Sequence, residues 1–140
     1  MRALVIGCGR VGSTVAKRLA ADGWDVAVID EREEALERLG ERWTGRFIVG
    51  HGMDTRVLID GGIEDADAAV VATDGDNTNL VIGQVAQRRF GVESVVVRVL
   101  DPARATLYAE LGLNTISPTA RAIDELSEWV AARTRSRAHT

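Results

Sequence analysis

Gly7, Gly9 and Gly12 stand in the stretch LVIGCGRVGS (4–13) as G-x-G-x-x-G. Each glycine of such a pattern has its own physical task. The first lets the chain turn sharply off a strand. The second lets backbone approach a pyrophosphate, and the third lets the next helix pack close to the sheet. The free N–H groups opening that helix then face the phosphates, and the helix dipole favours their charge. Asp30 follows Gly12 by 18 residues, at the tip of the apolar run DVAVID. An acid there hydrogen-bonds ribose hydroxyls and repels a 2′-phosphate, so NAD(H) or an adenosine nucleotide is expected rather than NADP(H).

Residues around this core extend the candidate site. Cys8 reads as a small residue filling a tight turn; a redox thiol is the alternative, because a helix N-terminus lowers thiol pKa. Arg10 can fold over a phosphate or stay solvated at the helix start, and Val11 is counted with the same loop. Glu31 and Arg32 follow Asp30 and either line an adenosine pocket or fill a first helical turn. The segments GHGMDT (50–55) and TDGDNTN (73–79) follow two further strands, and ligands in such sheets bind at the carboxyl ends of strands. Asp54, Asp76 or Asn77 is expected to cap a helix. Arg98, in an apolar strand, needs a partner: an acid such as Asp74, or a ligand phosphate.

These residues need a frame, and the rest of the chain supplies one. ALVIG (3–7) reads as a buried strand. Val11, Val15 and Leu19, with Ala16 and Ala20 beside them, recur at helical spacing until Asp22-Gly23 stops the helix. DVAVID (25–30) is the second strand, and EREEALERLGER (31–42) a helix with Ala35, Leu36 and Leu39 inward. RFIVG (46–50), a short helix over 55–60, DAAVVAT (67–73), a helix over 77–90 and SVVVRVL (94–100) follow. Asp101-Pro102 opens another helix, NTIS (114–117) is a sixth strand, and Pro118 opens a last helix to about Ala132. The alternation predicts a Rossmann-like doubly wound α/β fold, a parallel six-stranded sheet with helices on both faces. The expected layout is one nucleotide-binding domain over 1–134 and a frayed, solvated basic tail over 135–140.

Composition narrows the partners. The chain has 140 residues, 46% hydrophobic and 27% charged, with a formal charge of −4; a general nucleic-acid binder would be basic. One cysteine excludes an internal disulfide and fits a reducing compartment. One Cys with His51 and His139 makes no zinc cluster. No run approaches the roughly 20 apolar residues of a membrane span, and the apolar start is too short for a signal peptide. A cytoplasmic protein is expected, with any membrane connection made through a partner.

GCGRVG, then VID, VGHGMDTRVL, GIEDADAAVVATDGDNTN and ELGLNTISPT, in that order, resemble the N-terminal nucleotide-binding (KTN or RCK-N) domain of the Trk/Ktr potassium-transport regulators. The likeness runs from Met1 to about Trp129. It implies a cytoplasmic regulatory domain, peripheral to the inner face of the membrane, that assembles as a dimer or ring against a membrane-embedded potassium-translocating subunit. It implies binding of NAD(H), ATP, ADP or AMP. By position, Gly7, Gly9 and Gly12 match the phosphate-binding glycines and Arg10 an arginine that meets terminal phosphates in some members. Asp30 matches the ribose acid. Gly52, Met53 and Asp54 match the adenine-side loop, Thr73 and Asp74 the loop over ribose and phosphates, and Arg98 a basic residue at the fifth strand tip. Many members have Asp or Asn where Met53 stands, which removes an acceptor for the adenine amine. Members commonly carry a further C-terminal ligand-binding domain; this chain stops soon after the last helix, as a single-domain regulator or a piece cut at the boundary.

The last helix bears Ile123, Leu126 and Val130 on one stripe, with Trp129 beside it. The stripe either packs on the chain's own sheet or crosses to a neighbouring subunit, as the corresponding helix does in the family. Two other functions compete with this one. A small NAD-dependent oxidoreductase needs an acid or base near the nicotinamide. The inventory offers only His51, whose backbone turn looks more important than its ring, together with Tyr108 and Lys17. A nucleotide-binding scaffold without a transport role is the other. A regulator without catalytic residues is the expectation.

Overall fold

The structure, a computed structural model, describes residues 1–138; His139 and Thr140, the end of the expected basic tail, lie outside the described residues. Six strands form: β1 (Arg2–Ile6), β2 (Asp25–Asp30), β3 (Arg46–Val49), β4 (Ala68–Val71), β5 (Ser94–Arg98) and β6 (Asn114–Ile116). All pair in parallel, in the order β3-β2-β1-β4-β5-β6. The order reverses beside β1. The carboxyl ends of β1 and β4 therefore diverge around a crevice, the place where ligands bind in doubly wound sheets.

Four α-helices connect strands, α1 (Arg10–Ala21), α2 (Thr55–Asp60), α3 (Asp76–Gln84) and α4 (Pro102–Glu110), and α5 (Pro118–Ala138) follows the last strand. Alternate residues of each central strand face opposite layers. Ala3, Val5, Val26 and Val28 pack with Ala16 of α1 and Leu39. Leu4, Ile6, Ala27 and Ile29 pack with Leu58 of α2 and with Leu80 and Ile82 of α3. Both faces of β1 and β2 are thus covered, which is why their sequences are continuously apolar rather than alternating.

Three expectations are corrected. The segment Glu33–Leu39 is a 3-10 helix, not an α-helix over 31–42, and Leu36 is exposed rather than inward. Three residues per turn bring Arg32, Ala35 and Arg38 onto one face. The C-terminal part of the helix expected to end at residue 90 widens to a π-helical turn over Val85–Arg89. The last helix runs to Ala138. Its last turn carries Arg135 and Arg137, whose charge suits a helix C-terminus, so the helix extends past the expected Ala132 into the first residues of the basic tail. No helix among the described residues is long and apolar enough to cross a membrane.

Candidate functional site

The crevice is an open cleft of about 730 Å³ bounded by the β1–α1 turn, the tip of β2 with the 3-10 segment, the loop after β3, and the loop after β4. At its base, Gly7 has φ +104°. A Cβ there would overlap the backbone of Ala72, and one at Gly12 would overlap the carbonyl of Gly7. These two glycines answer to the protein's own packing. Gly9 does not. Apart from its own chain neighbours, the nearest atom to a Cβ built on it is Nη1 of Arg38, at 3.9 Å. The space over Gly9 is vacant, as backbone approach by a phosphate requires. Gly9 also caps α1 without any side-chain hydrogen bond, and the first turn carries no acid. Its N–H groups keep their capacity for an anion.

Asp30 does more than wait for a ribose. Its Oδ2 accepts the Cys8 N–H at 2.8 Å and its Oδ1 accepts the Arg32 N–H at 2.8 Å. One bond ties β2 to the glycine turn and the other shapes the turn that follows. Ionised carboxylate oxygens keep further acceptor capacity for hydroxyls. Cys8 is buried, and its Sγ donates to the Ala35 carbonyl at 3.3 Å. Burial first, then the charge of Asp30, pushes its thiol from 9.0 up to about 11. The redox alternative needs a thiolate, and this environment withholds it.

On the far side, His51 links two loops through its ring. Its Nε2 lies 2.8 Å from Oε1 of Glu31, and its Nδ1 accepts the Met53 N–H at 3.1 Å. With Nδ1 accepting, the proton belongs on Nε2, and a neutral ring satisfies both partners. The ring therefore matters as much as the turn. Gly52 is buried there because a Cβ would meet Ile6 and Ile82 at 2.7 and 2.8 Å.

The fourth wall hangs on Asn79, which is 1% exposed. Its Oδ1 accepts from the N–H and the hydroxyl of Thr73, and its Nδ2 donates to the carbonyls of Thr73 and Arg98 at 3.0 Å each. All four hydrogen-bonding positions of the amide are used. Arg98 donates from Nη2 to the Thr73 carbonyl at 2.6 Å and lies 3.7 Å from Asp74. Asp76 accepts the N–H groups of Leu100 and Asp101 at 2.7 and 3.0 Å, so it ties the loop to the end of β5 rather than capping its own helix. Asn77 accepts from Arg104. Of the three expected caps only Asp54 caps its helix, accepting the Arg56 N–H.

Residues 3–118 match the family model of the TrkA-N domain. The chain belongs to the TrkA-N family. It is 40% identical over 126 residues to the Trk system potassium uptake protein TrkA of Streptomyces coelicolor, covering 90% of this chain and 56% of that relative's length. A structure of the Shewanella denitrificans Kef C-terminal domain in its AMP-bound form superposes with a TM-score of 0.79 at 21% identity, over 96% of this chain and 82% of that one. The GsuK channel bound to NAD superposes with a TM-score of 0.67 at 18% identity, over 84% of this chain and 21% of that one. At these identities the two structures share the fold.

In this TrkA-N chain the cleft gathers Gly7, Cys8, Gly9, Asp30, Glu31, Arg32, Gly52, Thr73 and Asp74. Six expected site residues do not line it. Arg10 and Val11 are exposed in the first turn of α1, where only their backbone shares the helix start. Gly12 packs beneath Gly7. Met53 is exposed and Asp54 is spent on its cap. Arg98 is spent on carbonyls of the β4 loop. Among the site residues that the sequence reading did not assign are Asn79, Ala35 and Arg38. Asn79 had a signal, an amide on the buried stripe of a helix. Ala35 and Arg38 had one only if the segment's period is three.

Proposed function

We propose that this domain is a nucleotide-sensing regulator of a membrane potassium transporter or channel, and that NAD(H), ATP, ADP or AMP occupies the cleft. The observation that carries the reading is Gly9: an uncapped helix start beneath vacant space, with the Asp30 carboxylate at the next strand tip. The phosphates take the α1 N–H groups and a ribose takes the free lone pairs of Asp30. The Streptomyces relative is named for potassium uptake, and the Kef and GsuK structures contain AMP and NAD. Ligands that bind two assemblies unequally shift the population between them by that difference alone.

An oxidoreductase is disfavoured by what lines the cleft. Lys17 and Tyr108 are absent from the lining, and both ring nitrogens of His51 are engaged. Assembly is the role read for α5. Ile123, Leu126, Trp129 and Val130 are all exposed along it, and a stripe of that kind marks a contact between copies. A potassium-translocating partner places the domain at the cytoplasmic face of a membrane.

Isothermal titration of the chain with NAD⁺, NADH, ATP, ADP and AMP tests the reading, with Gly9→Val as the control. The expected result is micromolar binding of one pair with unequal affinities, abolished by the variant. Failure of all five ligands to bind sinks the sensor reading and leaves a Rossmann-shaped assembly module.

A further inference from the structure

We propose that Arg38, carried by the 3-10 segment after β2, and not Arg10 of the glycine loop, supplies the side-chain counter-charge for the diphosphate of the bound nucleotide. This rests on the nucleotide reading and assigns a residue within it. Three observations carry it. First, Arg38 lines the cleft and Arg10 does not. Second, apart from Gly9's own chain neighbours, the Arg38 guanidinium is the protein group that comes within 4 Å of a Cβ built on Gly9, at 3.9 Å. It hangs beside the point where backbone can approach a phosphate. Third, Arg38 makes no hydrogen bond or ion pair among the described residues, and its charge acts on the Cys8 thiol. Arg32, Glu34 and Glu37 also line the cleft, but Arg32 has no side-chain atom within 4 Å of the Cβ position on Gly9, and three other charged groups are committed. Glu31 is held by His51, Asp74 lies by Arg98, and Asp30 holds two backbone N–H groups.

The winding of the segment explains why this arginine arrives there. At three residues per turn, Arg32, Ala35 and Arg38 stack in one column. Ala35 at the middle is small, and its carbonyl is bonded to Cys8, so the column is fastened directly to the glycine turn. Its neighbours Glu34 and Glu37 also border the cleft. An anion entering past these carboxylates needs a cation at Gly9. A guanidinium offers a planar fork suited to phosphate oxygens.

The test measures the affinity of the full chain for NAD⁺ and ADP at several salt concentrations, with Arg38→Gln, Arg38→Lys and Arg10→Gln. Arg38→Gln is expected to weaken binding about tenfold or more, as loss of a charge-assisted contact does, and to flatten the salt dependence. Arg38→Lys recovers part of the affinity and the salt dependence. Arg10→Gln stays within about twofold of the parent, the weight of an exposed charge. An unchanged Arg38→Gln, a loss without change in salt dependence, or the loss appearing in Arg10→Gln instead overturns the assignment and leaves the nucleotide reading standing. If the parent chain binds neither ligand, both fall.

Discussion

The carboxylate of Asp30 accepts the backbone N–H of Cys8 at 2.8 Å, across 22 residues of sequence. A residue chosen by its spacing as a ribose acid is therefore also a fastening of the glycine turn.

Asp30→Ala should accordingly do two things. It removes the ribose acceptor, and it leaves the N–H groups of Cys8 and Arg32 without their partner. The second effect should cost about 1–3 kcal/mol, read as a lower thermal midpoint in the absence of ligand. An unchanged midpoint would show that the bond contributes nothing to the fold.

The glycines of the turn should separate by function. Gly12→Ala should unfold the domain or nearly so, because its Cβ overlaps the Gly7 carbonyl. Gly9→Ala meets no protein atom closer than 3.9 Å and should leave the midpoint unaltered while weakening nucleotide binding. Thermal melts with titrations on both variants check this; equal destabilisation by the two contradicts it.

Asn79→Ala should be among the most damaging single changes outside the apolar core. It strips partners from Thr73 and Arg98 in a buried setting, with an expected loss of about 2–4 kcal/mol by chemical denaturation. A loss below about 0.5 kcal/mol would mean that water replaces the amide.

Cys8 gives the domain a base-side limit. The native thiol titrates at about 11 against 9.0 for an unburied one. Between these values the unfolded chain has released a proton that the native chain keeps, so stability is full below pH 9 and declines towards pH 11. The contribution is roughly 3 kcal/mol at most. Cys8→Ala should remove this part of the pH dependence. The same burial predicts that native Cys8 reacts with thiol reagents at neutral pH only as fast as the domain opens.

Leu126→Glu and Trp129→Glu test α5. Both positions are exposed, and Arg133 stacks over the Trp129 ring 3.5 Å from its centroid. The variants should leave nucleotide affinity alone and shift the sedimentation of the chain towards monomer. A parent chain that is monomeric at every concentration, with both variants unchanged, removes the assembly role.

Much of the frame was legible because buried parallel strands announce themselves: ALVI, VAVI and VVVR have no other economical reading. The glycine turn was legible because its spacing and its flanking elements agree. The 3-10 segment was not. Over the seven residues Glu33–Leu39, periods of 3.0 and 3.6 diverge by less than half a turn, so Leu36 looked inward and Arg38 went unnoticed. Arg98 was legible in part: of its two expected partners, Asp74 or a ligand phosphate, Asp74 lies 3.7 Å away, while its bonds to the carbonyls of Ala72 and Thr73 had no signal in the sequence. Asp76 misled: a carboxylate at a helix start reads as its cap, yet this one serves the loop after β5.

Every residue of α5 from Arg121 to Arg137 is exposed. The core therefore does nothing to hold that stretch helical, and in proteins most helical stability comes from packing of an apolar face rather than from propensity. Under the proposed assembly through α5, its order obeys mass action. Diluting the chain should drain helical ellipticity from this one element while the sheet melts at an unaltered temperature, so that the helix content of the molecule becomes a gauge of how crowded it is with its own kind.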